Sequence, residues 1–412
     1  MKPYIKNIIH TCLLAATVGL SSCDKDLDNE SKTNLTDATQ WVSESNADIF
    51  LNDVYDQIPD IYSQPENLDN FTDDNDGGFY YASFKYKQGI LDPAATNYTL
   101  FGGGAVGVAT VNRYNWSALY TAIRKCNTFI SELNKNKSNF SPAWFNKRID
   151  EARFNRAFHY SILLQFWGGV PIINEPQSRA DSLNLFVARS TYEQTLNYIT
   201  STLDTVLNNK YLVVKYNKGQ ADAGRATLGA ALMLKAHLQL VAASPAFNTA
   251  NPPSGSDPAK VVSFGNADQA RWATAAASFK KFIDDYGAGK TYNLFGEDST
   301  LWFEDNEYNS EVIFDRQHVS NIKGSNYEQY GGPVYIAGSY YTWGNYNPTQ
   351  ELVDQFFMAN GKAITDPTSG YDPQKPYVGR ERRFYKWIVY DGAPYKMDWM
   401  PAIDTFTHVL TK

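Results

Sequence analysis

The stretch "EARFNRAFHYSILLQFWGGVPI" (residues 151–172) decides the fold class. It belongs to a long helical pattern that opens at Ser141-Pro142, a capping serine followed by proline at the first helical position, and stops at Gly168-Gly169. Proline fits there because its missing N–H would have had no helical partner, and glycine leaves a helix at little steric cost. Toward the N-terminus, Ala47, Phe50, Leu51, Val54 and Ile58 recur at i, i+3, i+4 spacing, as do Trp116, Leu119, Tyr120, Ile123, Asn127 and Ile130. Such spacing predicts helices with one buried face. Toward the C-terminus, Ser190 with Glu193 is expected to form a capping box ahead of Leu196, Ile199, Leu203 and Val206. Two more helices are predicted over 226–243 and 268–286, the second stopped by Gly287. Successive helices rich in Ala, Tyr, Phe and Trp predict a mainly α protein with tetratricopeptide-like pairs, small residues on one helix accepting aromatics from its neighbour. The repeat period is irregular.

The other end of the chain reads differently. Lys2 and Lys6 precede an apolar run from Ile8 to Leu20, the charged and apolar regions of a secretory signal. Its 13 residues are too few for a bilayer core that needs about 20. In "LSSCDKDLD" (residues 20–28), Leu-Ser-Ser-Cys resembles the lipobox of bacterial lipoproteins, which makes residues 1–22 a signal peptide and Cys23 the lipidated first residue. Residues 23–40, mostly Asp, Asn, Ser, Thr and Lys, read as a flexible tether, and 41–412 as the folded domain. The chain has three cysteines, so after loss of Cys12 and acylation of Cys23 only Cys126 remains and no internal disulfide is possible. Cys126 reads as a small core residue. The mature chain carries 35 bases against 44 acids, formally −9, without the clustered Lys and Arg that nucleic acid requires.

Within the domain, 41–290 is helical in pattern and 291–412 is rich in loops. Glu311-Val312-Ile313-Phe314 is the one credible strand before a long region of Gly, Asn, Ser and Tyr, and loops of that length are usually functional. Five segments in order now carry a resemblance: residues 151–172, "RATLGAALMLKAHLQLVAASPAFN" (225–248), "NSEVIFDRQ" (309–317), "NPTQELVDQFFMANGK" (347–362) and "YDPQKPYVGRERRFYKWIVYDG" (371–392). With a lipobox in front, they resemble the SusD/RagB family of outer-membrane nutrient-binding lipoproteins of Bacteroidetes. The resemblance implies a SusD-like α-helical fold with long ligand-binding loops and a few short strands. It implies a surface protein that binds oligosaccharides, or peptides in the RagB branch, and passes them to a SusC-like TonB-dependent transporter. Asp24 to Asp28 resembles the acidic tag that sends such lipoproteins to the cell exterior. The family continues past the Arg-Phe-Tyr motif into a last helix pair, whereas this chain stops at Lys412, so a shortened C-terminus with exposed apolar surface is expected.

Residues 327–346, "YEQYGGPVYIAGSYYTWGNY", hold seven aromatics where the chain's 15% background predicts three. A sugar ring has an apolar C–H face and a hydroxyl rim, so it suits a flat aromatic beside amides and phenols. Trp343 next to Gly344 and Asn345 fits, with Tyr330, Tyr340, Tyr341 and Tyr346 as further candidate glycan contacts. A second candidate group, Asn97, Tyr98 and Arg113, with Phe101 and Tyr114, flanks "FGGGAVG" before the Trp116 helix. Family ligand contacts commonly come from that loop. The alternative for any one of these tyrosines is packing of a loop onto the helices.

Other motifs fail. The triple glycine lacks the Lys-Ser/Thr of a phosphate loop. "DDNDGG" (residues 73–78) resembles a calcium loop, but its fifth ligand position is Gly77 and its twelfth Phe84; no cofactor is expected, with a structural calcium ion, which the resemblance allows in some family members, left as the alternative. His159, His237 and His318 are isolated, without metal spacing. Arg380, Glu381, Arg382 and Arg383 form a charge run that the resemblance makes mainly structural. A glycosidase would need two carboxylates across a cleft, a serine hydrolase a Gly-x-Ser-x-Gly elbow that is absent, so no enzymatic role is expected.

Overall fold

A computed structural model describes residues 37–60, 68–77, 86–89, 115–178, 180, 185–253, 255–287, 289–296, 307–319, 323–332, 335–336, 339–340, 342–395 and 404–405. In chain order its first helices are α1 (Asp37–Gln40), α2 (Glu44–Asp56), α3 (Trp116–Lys135), α4 (Pro142–Trp167), α5 (Tyr192–Asn209), α6 (Leu228–Ala243) and α7 (Ala270–Tyr286). Ser43, Asn115, Thr191 and Thr227 each accept a backbone N–H from the third residue onward, filling one of the unpaired donors at a helix start. Pro142 opens α4 as expected, but the Ser141 hydroxyl makes no cap and donates to Glu44 Oε1 at 2.6 Å instead.

One cap differs. The capping box is Thr191 with Gln194, not Ser190 with Glu193: Thr191 Oγ1 accepts the Gln194 N–H at 3.1 Å, and Gln194 Oε1 accepts the Thr191 N–H at 2.9 Å. Ser190 is used elsewhere, its N–H donating to the Val170 carbonyl at 3.1 Å. The one-residue shift also buries Tyr192 between Phe247 and Phe264.

From α3 to α7 each helix packs on the next, and α2 lies against α3 and α4. Leu119 and Ile123 of α3, Phe154, Leu163 and Leu164 of α4, Ile199 and Leu203 of α5, and Ala231 and Leu238 of α6 form one core. Trp41, Leu51, Val54, Cys126, Phe129 and Phe145 form a second at the α2 end. Cys126 is fully buried, and burial pushes its thiol up to about 12. Helix α4 is covered by α3, α5 and α2 at once, so it buries polar as well as apolar residues, among them Asp150, Glu151 and His159.

The buried charges of α4 are matched by an ionic network. Glu151 accepts Arg148 Nη1 at 2.6 Å, Arg225 Nη1 at 3.1 Å and the Tyr55 hydroxyl at 3.0 Å, while that hydroxyl accepts the Ala226 N–H at 2.9 Å. Arg148 also donates to Asp48 at 2.8 Å and Asp222 at 3.0 Å, and Lys147 reaches Asp222 at 2.6 Å. Burial pushes the Asp222 carboxyl up, but the Lys147 and Arg148 bonds outweigh it and hold it down to about 2. Helices α2, α4 and the entry to α6 are thereby tied at one point.

Gly168 and Gly169 do more than end α4. Gly168 has φ +75°, and a Cβ there would sit 2.1 Å from the Val261 carbonyl oxygen; one on Gly169 would sit 2.1 Å from the Ser190 oxygen. Only glycine lets the chain cross that closely.

The remaining elements are short: α8 (Tyr327–Gly331), α9 (Gln350–Gln355), α10 (Arg382–Trp387) and three antiparallel two-stranded ladders. These ladders are β1 (Asn75–Asp76) with β4 (Asn347–Pro348), β2 (Tyr335–Ile336) with β3 (Ser339–Tyr340), and β5 (Pro394–Tyr395) with β6 (Asp404–Thr405). Residues 311–314 do not form the expected strand. Phe314 instead sets its ring edge on Phe154, with centroids 5.1 Å apart, and Ile313 packs on the helical core. Burial against α4 has replaced sheet pairing.

Candidate functional site

Helix α8 and the segment 342–346 are zipped together by backbone and rings. The Trp343 N–H donates to the Gln329 carbonyl at 2.8 Å and the Asn345 N–H to the Tyr330 carbonyl at 2.8 Å. The Gly344 N–H and Thr342 Oγ1 both donate to the Gly332 carbonyl, at 3.1 Å and 2.7 Å. Tyr327 and Tyr330, three apart on α8, share a face. Across the zipper Tyr330 meets the Trp343 ring edge-to-face at 5.0 Å, and Tyr327 meets Tyr346 at 5.3 Å with 32° between planes. Such pairs add about 0.5–1.5 kcal/mol beyond burial and hold the rings at a set tilt.

Two further ties anchor the platform to an earlier part of the chain. Asn70 Nδ2 donates to the Asn345 carbonyl at 2.9 Å, and the β1–β4 ladder places Asp76 opposite Asn347. The Thr349 N–H donates to the Asp74 carbonyl at 2.9 Å. Residues 73–76, the segment with the calcium-loop spelling, therefore pair with the end of the platform. Beside them Lys87 pairs with Asp76, and burial pulls its ammonium pKa down.

The candidate contacts separate by burial. Trp343 and Tyr346 are half-buried, with Tyr327 exposed beside them. Tyr330 is 7% exposed and Asn345 fully buried; Tyr330 meets the Trp343 ring edge-to-face, and the Asn345 carbonyl accepts from Asn70. Tyr340 has its backbone in β3, opposite Tyr335. Asn97, Tyr98, Arg113, Tyr341 and the proposed lipidation residue Cys23 lie outside the described residues. Tyr327, one of the seven aromatics of the stretch but not singled out as a candidate contact, is exposed and paired with Tyr346.

The charge run divides as well. Arg380 is buried, donating to the Val353 and Phe356 carbonyls at 2.7 and 2.8 Å, and so closes the end of α9. Of the histidines considered for metal spacing, His159 is buried in α4 and His318 lies 3.5 Å from Asp60. Among the described residues no group of three or more metal-ligating side chains converges, and no described helix is long and apolar enough to cross a membrane.

Stacked helices carrying a long aromatic loop define the structural class. A family profile described as "Starch-binding associating with outer membrane" matches residues 27–240, and one described as "SusD family" matches residues 310–405. The chain belongs to the SusD family. A SusD-like protein of Formosa agariphila is 22% identical over 211 residues, which cover 50% of this chain and 38% of the relative. Two solved structures from Bacteroides fragilis share the fold. A SusD-like protein matches with TM-score 0.64 at 22% identity, covering 87% of this chain and 63% of its own. A SusD-like carbohydrate binding protein matches with TM-score 0.61 at 21% identity, covering 86% and 61%. The chain thus spans less than two thirds of the length of each of these relatives.

Proposed function

We propose that the protein is a lipid-anchored glycan receptor of the outer cell surface, which binds nutrient oligosaccharides without cleaving them and delivers them to a SusC-like TonB-dependent transporter. The carrying observation is the half-buried Trp343 ring, held edge-on by buried Tyr330 and beside the Tyr327–Tyr346 pair, on a SusD-family scaffold. An indole fixed in this way offers a flat apolar face to the C–H side of a sugar, while neighbouring phenols and amides can meet its hydroxyls. Cys23 in its lipobox supports the anchor, and the SusD-like carbohydrate binding protein of the same fold supports the ligand class.

The test is affinity electrophoresis or calorimetry of residues 24–412 against plant, host and microbial polysaccharides and a peptide mixture. Trp343→Ala is expected to weaken the glycan interaction about tenfold or more, the equivalent of 1.4 kcal/mol or more, with no hydrolysis products. Retained affinity in that variant sinks the platform reading. Binding of peptides alone moves the protein to the RagB-like alternative, and released sugars would make it a glycoside hydrolase. Co-purification with a barrel transporter tests the partner separately.

A further inference from the structure

We propose, on the reading of Trp343 and its neighbours as the glycan platform, that Arg316 and Lys323 are positioning residues for it: they moor the chain ahead of α8 on the C-terminal end of α2 and so set where Tyr327 presents its ring. The need arises at α8 itself. Its five residues are too few to hold a helix on their own, so its place is set by what grips its two ends. The far end is gripped by the zipper to residues 342–346, through the carbonyls of Gln329, Tyr330 and Gly332. Tyr327 stands at the near end, 46% exposed and paired with Tyr346.

The near end leads back to α2. Where that helix finishes, the Asp53 carbonyl accepts Gln57 Nε2 at 3.1 Å, and the Val54 and Tyr55 carbonyls accept the Gln57 and Ile58 N–H groups at 3.1 and 3.0 Å. The Asp56 carbonyl is left to Arg316, whose Nη1 lies 3.4 Å away and also donates to the Ile58 carbonyl. A guanidinium suits this place because the last carbonyls of a helix form its negative pole. Side chains repeat the match: the Asp56 carboxylate pairs with Lys323 and lies 3.5 Å from Arg316 Nη2, and Asp60 lies 3.5 Å from both Arg316 Nε and His318 Nε2.

Arg316 and Lys323 act as one clamp. The Val319 N–H donates to the Lys323 carbonyl at 3.0 Å and the Lys323 N–H to the Val319 carbonyl at 2.8 Å, which ties the two arms together. Three residues then remain before Tyr327, and they are committed to α8: Ser325 Oγ accepts the Tyr327 N–H at 3.2 Å, and the Asn326 carbonyl accepts the Tyr330 N–H at 3.0 Å. A shift of Lys323 on α2 is therefore passed to the Tyr327 ring. The clamp is ionic and its rim is open to water, with the Lys323 and Asp56 side chains 42% and 37% exposed, so its strength falls as salt rises. Binding of an uncharged glycan then acquires a salt dependence that neither the sugar nor the rings possess.

Hydrogen exchange of the ligand-free full chain, followed in peptides spanning residues 323–331, reads the mooring directly. Arg316→Gln and Lys323→Gln are expected to speed exchange of the α8 amides several-fold, with the amides of α5 in the helical core as the control. Raising sodium chloride from about 0.01 to about 1 M, which shortens the screening length from about 30 Å to about 3 Å, should do the same to the protein but not to the two changes combined. Asp56→Asn added to Lys323→Gln should do no more than either alone, the mark of one shared contact. Titration with laminarin and soluble starch, both uncharged, then reads the consequence: several-fold weaker binding in the variants, and a salt dependence that they lack. If Arg316→Gln speeds exchange in α5 as well, Lys323→Gln, whose partner lies at the surface, carries the test. Unchanged exchange in α8 overturns the mooring, and faster exchange with unchanged affinity overturns the positioning role. No binding to either glycan leaves nothing to position and overturns that role too. Binding indifferent to Trp343→Ala sinks the platform reading instead, while the exchange result still judges the mooring.

Discussion

Gly331 lies directly beneath Tyr346: a Cβ built on it would meet that ring at 2.1 Å. Gly331→Ala is therefore expected to displace Tyr346 from Tyr327 and to weaken glycan binding several-fold, while helical circular dichroism and thermal midpoint change little. Unchanged affinity would show that Tyr346 takes no part in the platform. The residue scale is where sequence reading was weakest. It singled out the 327–346 stretch by aromatic density, but density does not tell a ring that faces water from one that carries it. Tyr330 and Trp343 have the same signature in a string of letters, and only their edge-to-face contact assigns one to the inside and the other to the rim. Asn345 was expected near the ligand as an amide beside the Trp343 ring, and only the packed structure shows how deeply it is buried.

Elements were more legible. Apolar spacing over Ala47, Leu51 and Val54, or over Leu119 and Ile123, reported the buried faces of α2 and α3 because a helix repeats its environment every three to four residues. Caps were less certain, since several small polar residues compete at a helix start. The observed box predicts a contrast between neighbours: Thr191→Ala should cost about 1 kcal/mol, whereas Ser190→Ala, whose side chain makes no cap, should cost much less. Urea midpoints of the two variants measure the difference, and the reverse order would contradict the assigned start of α5. The segment 311–314 shows the limit of the approach. Four strand-forming residues have no strand unless a partner edge is present, and here α4 offers Phe314 a better burial than any ladder.

For the whole molecule, the ionic network around Glu151 ties α2, α4 and the start of α6. Removing one partner from such a buried group costs about 3–5 kcal/mol, because the charge left behind is unpaired. Its rim supplies a pH prediction. The Asp222 carboxyl is held down to about 2, below its unfolded value of about 3.9. A lowered pKa in the folded state adds stability that is complete above the unfolded value and is lost as the pH falls through the folded one. The stability difference between the protein and Asp222→Asn, read from urea midpoints, should thus be constant above about pH 5 and shrink between about pH 4 and pH 2. A difference that grows in that window would mean that Lys147 and Arg148 do not hold the carboxylate.

What the sequence determined by itself was the class: built of successive helices by its periodicity, and similar to the SusD family by its ordered segments. Those properties are carried by neighbours in the chain, by residue type and by spacing, so they survive being written as a string. What only the tertiary structure decided was the meeting of distant residues. Glu151 with Arg225, Gly168 with Val261, and Asn70 with Asn345 are each set by helix packing and chain crossing. Burial separates the aromatics that can touch a ligand from those that hold them. Burial belongs to the packed molecule, and no local pattern of letters contains it.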